Sequence, residues 1–140
     1  MNIPPKKEEV LNAFLKSLVE RVRMKVVAGP TSIYVDEPGN EGITGTVTLA
    51  TSHGSIHVWD AKSPAMFQFD LYSCSDFKPE EILSELNKWF DIQDTYWVMI
   101  DRNQNQFFEL DKGLFRPINT EGAGGEQSFE EKIFDSLKEI

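Results

Sequence analysis

Ser52, His53, His57 and Cys74 are the residues of this chain whose types and spacing could do chemistry. They supply a hydroxyl nucleophile, two imidazoles that titrate near neutrality and a thiol able to give or take a proton. The stretch Ser52-His53-Gly54-Ser55-Ile56-His57-Val58-Trp59 holds both histidines of the chain, and its only cysteine comes at the end of the next apolar run. Small hydroxyl residues at a strand end, a tight turn, paired histidines and a lone thiol read together as a self-made catalytic site rather than a packing pattern. Taken singly, each has an ordinary structural use: a turn serine, a satisfied strand histidine, a small buried cysteine. A metal is not expected, because His53 and His57 lie four residues apart on a strand, about 13 Å, too far to share one ion unless a turn folds them together.

The elements that must position these residues are legible in the periodicity. Val10, Leu11, Phe14, Leu15, Leu18 and Val22 recur at helical spacing, so a helix is predicted over about Lys6 to Arg23. A first strand is predicted over Met24 to Ala28 and Thr31 to Asp36. It is broken at Gly29-Pro30, where the missing N–H suggests a bend or a sheet edge. Turn chemistry at Glu37 to Gly42 leads into a strand from Ile43 to Thr51, and Gly54 is expected to reverse the chain before Ser55 to Trp59. From Ala65 to Ser73, Phe67, Phe69 and Leu71 alternate with Gln68, Asp70 and Tyr72, and Cys74 continues the polar set. A second helix is expected from Pro79 to Phe90, with the Glu80-Glu81 pair suited to its first turn. Thr95 to Ile100 reads as a strand and Phe107 to Leu110 as a short one. Gly122 to Gly125 reads as a linker, and Ser128 with Glu131 as the capping box of a last helix carrying Phe129, Ile133, Phe134 and Leu137. Hairpin-length links between the central strands give an α+β fold, a two-layer sandwich of one antiparallel β-sheet with helices packed on one face. Residues 1–118 are expected to form a single domain and 119–140 a Gly-rich linker with a C-terminal helix.

Composition narrows the partners. The 140 residues are 40% hydrophobic, enough for one sizeable core, and carry a formal charge of -9. That charge argues against a nucleic-acid ligand, since phosphate binding rests on clustered Lys and Arg. No apolar run approaches the roughly 18 residues that span a bilayer, so no membrane partner is expected. The segment Met1 to Lys7 lacks the apolar core of a signal peptide, and one cysteine excludes an intramolecular disulfide. A cytoplasmic setting is the expectation.

The run Gly42 to Trp59, with its Ser-His-x-Ser-Ile-His core, then Met66 to Ser73, Cys74 and a Pro-Glu-Glu-initiated helix at Pro79, resembles the small bacterial, archaeal and phage-type S-adenosylmethionine decarboxylases. The resemblance extends from about Gly42 to Asp101. It implies a proenzyme that cuts itself between Thr51 and Ser52: the Ser52 hydroxyl attacks the Thr51 carbonyl, and the ester breaks by β-elimination. Ser52 is thereby left as an N-terminal pyruvoyl cofactor. The resemblance makes His57 the base in that elimination, Thr44 the hydroxyl that assists it, and Cys74 the donor that returns a proton to the substrate's α-carbon. The pyruvoyl ketone condenses with the substrate's amino group and takes up electrons as carbon dioxide leaves. The implied substrate is S-adenosylmethionine, feeding spermidine biosynthesis, and the implied assembly is a homodimer paired through the sheets.

Four features depart from the family pattern. Thr51 replaces a glutamate, and Asp60-Ala61 stands where Pro-Glu follows the tryptophan, which makes Asp60 the candidate for the substrate's ribose hydroxyls. The aromatic residue that stacks on adenine has no clean counterpart, Tyr34 being the candidate, and the strand that usually opens the family fold does not precede Lys6. Two alternatives stay open: ornithine or arginine as substrate on the same scaffold, and a non-processing homologue acting as a binding or regulatory partner.

Overall fold

A computed structural model of the chain describes residues 1–102 and 109–117. The element order is α1 (Glu8–Arg21), β1 (Val26–Val35), β2 (Gly42–Leu49), β3 (Ser52–Trp59), β4 (Met66–Tyr72), α2 (Pro79–Phe90), β5 (Thr95–Asp101) and β6 (Glu109–Phe115). The chain divides into two compact units, Met1–Ile92 and Gln93–Ile140. The fold is α+β, and in the first unit β1 to β4 form one antiparallel sheet in sequence order.

Strand alternation decides which face is covered. Ile43, Gly45, Val47 and Leu49 of β2 are buried, as are Gly54, Ile56 and Val58 of β3. A Cβ built on Gly45 would meet the Leu11 and Leu15 side chains at 2.8 and 3.1 Å, so α1 lies directly on this face and a side chain at position 45 would have to push those leucine ends aside. Leu11, Phe14, Leu15, Leu18, Val19 and Val22 form the stripe that α1 buries, while Val10, expected in it, is 39% exposed and gives its place to Val19.

Helix α2 packs on α1 through an edge-on contact between Phe14 and Phe90, whose ring centroids are 4.8 Å apart. Beside it Glu85, the buried acid of the core, accepts hydrogen bonds from Arg21, Ser17 and the Trp89 indole. At the first turn of α2, Glu81 accepts the Lys78 N–H at 3.0 Å and pairs with Arg23 at 3.1 Å. These two bonds, the backbone one first, hold the Glu81 carboxyl below its ordinary range.

Two expectations are corrected. The chain reverses at Ala50 and Thr51, with Leu49 opposite Ser52, and not at Gly54. Gly54 is buried within β3, opposite Val47 and Leu71, where a reversal would have turned the apolar set of β3 to the wrong face. The bend or edge expected at Gly29-Pro30 is found, as a register irregularity within the edge strand β1. In the second unit β5 pairs with β6 from Thr95↔Phe115 to Asp101↔Glu109, so the last strand runs well past Leu110. Trp97 lies flat across Gly113, where any Cβ would fall 2.6 Å from the indole. The linker and helix expected over 119–140 lie outside the described residues. No described helix is long and apolar enough to cross a membrane.

Candidate active site

The reversal between β2 and β3 places a β-branched residue, Thr51, at φ +64°. Left-handed backbone costs a β-branched side chain about 1 kcal/mol or more, and here the strained residue contributes the carbonyl of the Thr51–Ser52 bond. The Thr51 hydroxyl donates to the Ala50 carbonyl at 2.6 Å and so leaves the Thr51 carbonyl to other partners.

That carbonyl is taken by the thiol. Cys74 Sγ donates to the Thr51 oxygen at 3.2 Å, and the Cys74 backbone N–H donates to Ser52 Oγ at 3.0 Å. One residue therefore grips both sides of the Thr51–Ser52 bond, with one donor on the carbonyl oxygen and another on the serine hydroxyl. Cys74 is presented by a turn just past β4 that is braced from within: the Ser73 hydroxyl donates to the Ser75 carbonyl at 2.7 Å and accepts the Ser75 N–H at 2.9 Å.

A second group is built on the same hairpin. Thr44 and His57 are cross-strand partners, and Thr44 Oγ1 lies 3.1 Å from His57 Nδ1. In the tautomer whose Nδ1–H donates to the threonine, Nε2 carries the lone pair. The Trp59 ring sits 6.0 Å from the imidazole. His57 is an odd step from Ser52 and from buried Ile56 and Val58, so it stands on the sheet face opposite α1.

Expected as one constellation, the site residues thus fall into two. Thr51, Ser52 and Cys74 meet at the tip of the hairpin. Thr44 and His57 meet five strand positions away, about 16 Å at 3.3 Å per residue, on the open face. Sequence spacing carried the signal for this: an odd interval on a strand reverses the side chain.

Asp60 belongs to neither group. Its side chain is 5% exposed, and its two oxygens accept from Lys6 Nζ at 2.8 Å and from Tyr34 Oη at 3.0 Å. The Lys6 bond, then the Tyr34 bond, holds the Asp60 carboxyl below its ordinary range, and the Tyr34 hydroxyl is raised in turn. Tyr34, the candidate for adenine stacking, thus has its hydroxyl on Asp60, and its backbone N–H donates to Glu8. Each Asp60 oxygen thus already accepts one donor of this chain. A depressed carboxyl adds stability above its unfolded pKa of about 3.9, and that contribution is lost as pH falls through the folded value. Urea midpoints of wild type and Asp60→Asn should differ at pH 6 and converge as pH falls below about 4.

Histidine 53 was singled out with the cluster, and the structure gives it a definite place: its ring stacks on Tyr72, with centroids 5.5 Å apart and planes 14° from parallel. Among the described residues no group of three or more His, Cys, Asp or Glu is arranged to hold a metal ion.

Residues 5–103 match the S-adenosylmethionine decarboxylase family. Among curated proteins the chain is similar to the S-adenosylmethionine decarboxylase proenzyme of Archaeoglobus fulgidus, 31% identical over 70 residues that cover 50% of this chain and 57% of that protein. The chain thus spans little more than half the length of that relative. No solved structure gives a significant match.

Proposed function

The chain belongs to the S-adenosylmethionine decarboxylase family, and from that premise we propose that it is a self-cleaving proenzyme of a pyruvoyl-dependent decarboxylase. The observation that carries the reading is the double grip of Cys74 on the Thr51–Ser52 bond. Ser52 Oγ adds to the Thr51 carbonyl carbon while the thiol supports the developing oxyanion. The C–N bond then breaks with the proton passing to the departing nitrogen, leaving an ester. A base removes the Ser52 α-proton, and the Thr51 carboxylate departs as residues 1–51. Loss of ammonia from the remaining unsaturated end, with uptake of water, leaves the ketone.

The hairpin tip fits that group. Position 52 is reached by the Cys74 N–H, and the cysteine sulfur stands beside it, where a proton can be handed to a neighbouring carbon. The ketone supplies an electron sink for decarboxylation. The chain's own residues supply the strain, the oxyanion donor and the proton source.

His57 completes the site from a second copy. Within one chain it is on the opposite sheet face from α1 and about 16 Å from Ser52, and the Thr44 hydroxyl, 3.1 Å from Nδ1, holds the orientation of its ring. A homodimer paired through the open sheet faces is the proposed assembly, in which one chain's Thr44 and His57 approach the other's hairpin tip, where residue 52 stands at the strand end beside the exposed Cys74. The proposed substrate is S-adenosylmethionine, and the product is its decarboxylated form for spermidine synthesis in the cytoplasm.

Carboxyl-labelled S-adenosylmethionine should release labelled carbon dioxide, and prior treatment with phenylhydrazine should stop the release. Release from ornithine or arginine alone would reassign the substrate while keeping the mechanism. An intact, inert chain with every substrate would leave a binding partner of an active decarboxylase as the better reading.

A further inference from the structure

We propose that the His53–Tyr72 stack is the pin that holds the new chain terminus in place after cleavage. The inference rests on the self-cleaving reading above and concerns what the cut does to the sheet. Before cleavage the start of β3 is tied covalently to β2 through Ala50 and Thr51. Afterwards residue 52 is a chain end, and chain ends fray unless something ties them down.

His53↔Tyr72 is the outermost cross-strand pair of β3 with β4, next to the cleaved bond. Its two rings lie nearly parallel, 5.5 Å apart, on the open face of the sheet. The neighbouring pair inward, Gly54↔Leu71, offers no side chain on β3 to take over that hold. Tyr72 is also two residues before Cys74, on the short segment that aims the cysteine at position 52. The stack thus joins the terminus bearing residue 52 to the segment carrying its proton donor. His53 and Tyr72 are positioning residues: they act through residue 52 and Cys74.

The consequence is conditional, and that makes it testable. In the uncut chain the hairpin turn already fixes this end, so loss of the stack should matter little. In the mature chain the backbone pairing of residues 52 and 53 with Leu49 and Thr48 remains, and the stack is the side-chain contact that keeps this end from fraying. Amide hydrogen exchange is to be compared for Tyr72→Ala and Tyr72→Phe, each in the mature protein and in an uncleavable Ser52→Ala background. Mature Tyr72→Ala should exchange the His53 and Gly54 amides about fivefold to tenfold faster, within the roughly twofold to twelvefold that an aromatic pair confers. The Ile56 to Val58 amides should stay unchanged. The same substitution in the uncut background should show less than about twofold change, and Tyr72→Phe should behave as wild type in both. In turnover, kcat of mature Tyr72→Ala should fall by about the same factor with KM little moved.

Equal acceleration in cut and uncut chains would reduce the stack to an ordinary strand-end contact and overturn the proposal. Unchanged exchange and unchanged kcat in mature Tyr72→Ala would do so as well. Wild-type protein that stays whole, with Ser52 intact, overturns the cleavage reading and this one with it. Cleaved wild type with an insensitive Tyr72→Ala overturns this one alone.

Discussion

Ser52→Ala is expected to abolish cleavage outright, giving one species of 140 residues where wild type gives fragments 1–51 and 52–140 by intact mass. The N-to-O acyl shift needs a nucleophile on the residue that follows the carbonyl, and alanine has none. The structure lets the other contributions be graded in the same time course. Cys74→Ala leaves the nucleophile but removes the sulfur from the Thr51 oxygen. Loss of one oxyanion donor costs about a hundredfold or more in a preformed site, and a thiol is a weaker donor, so about tenfold to a hundredfold slower cleavage is expected. Thr51→Gly acts through the ground state. It removes the Cβ penalty at φ +64°, stabilising the uncut fold by about 1 kcal/mol and slowing cleavage by about fivefold if that strain is spent in the reaction. Stability in the Ser52→Ala background and the cleavage rate should therefore move in opposite directions. A single uncut species from both wild type and Ser52→Ala would end the proenzyme reading.

How much of this was legible in the chain depends on which physical signal was local. Helix α2 could be bounded from its own residues, because Pro79 fits the first turn and Glu81 can reach back to the Lys78 N–H. The strand order also followed from short connections and alternation. The position of the reversal did not. Gly54 looks like a turn residue, yet the register of Ile43, Val47 and Leu49 against Ile56 and Val58 is settled by burial across three strands, and it forces Thr51 into the left-handed conformation instead. The reach of β6 was hidden for the same reason, since Asp111, Lys112 and Gly113 have turn composition and are held extended by pairing with β5. The residues of the site were all recognisable by type. Their division into two groups became readable only once Ser52 was inside β3, because the odd interval to His57 then sends the two side chains to opposite faces.

That division makes the last prediction the most discriminating. His57→Ala should slow cleavage by about 10² to 10⁴-fold, the usual contribution of a positioned base. Because His57 stands about 16 Å along β3 from its own Ser52 and on the other face, the damage should be repaired by a different chain. Mixing His57→Ala with Ser52→Ala protein supplies, in a mixed dimer, an intact His57 opposite an intact Ser52. In that mixture the His57→Ala chain should be cut at a rate approaching wild type, up to the fraction of mixed dimers formed, while the Ser52→Ala chain stays whole. Mass labelling of one variant tells the two apart. The Thr44–His57 bond predicts a further gradation: Thr44→Val removes the partner that fixes the ring, so as the donor chain it should rescue less well than Thr44→Ser. If the mixed sample cleaves no faster than His57→Ala alone while the two chains demonstrably associate, His57 acts within its own chain. The ring would then have to cross to the hairpin tip by a rearrangement of β3, which its regular pairing on both sides opposes.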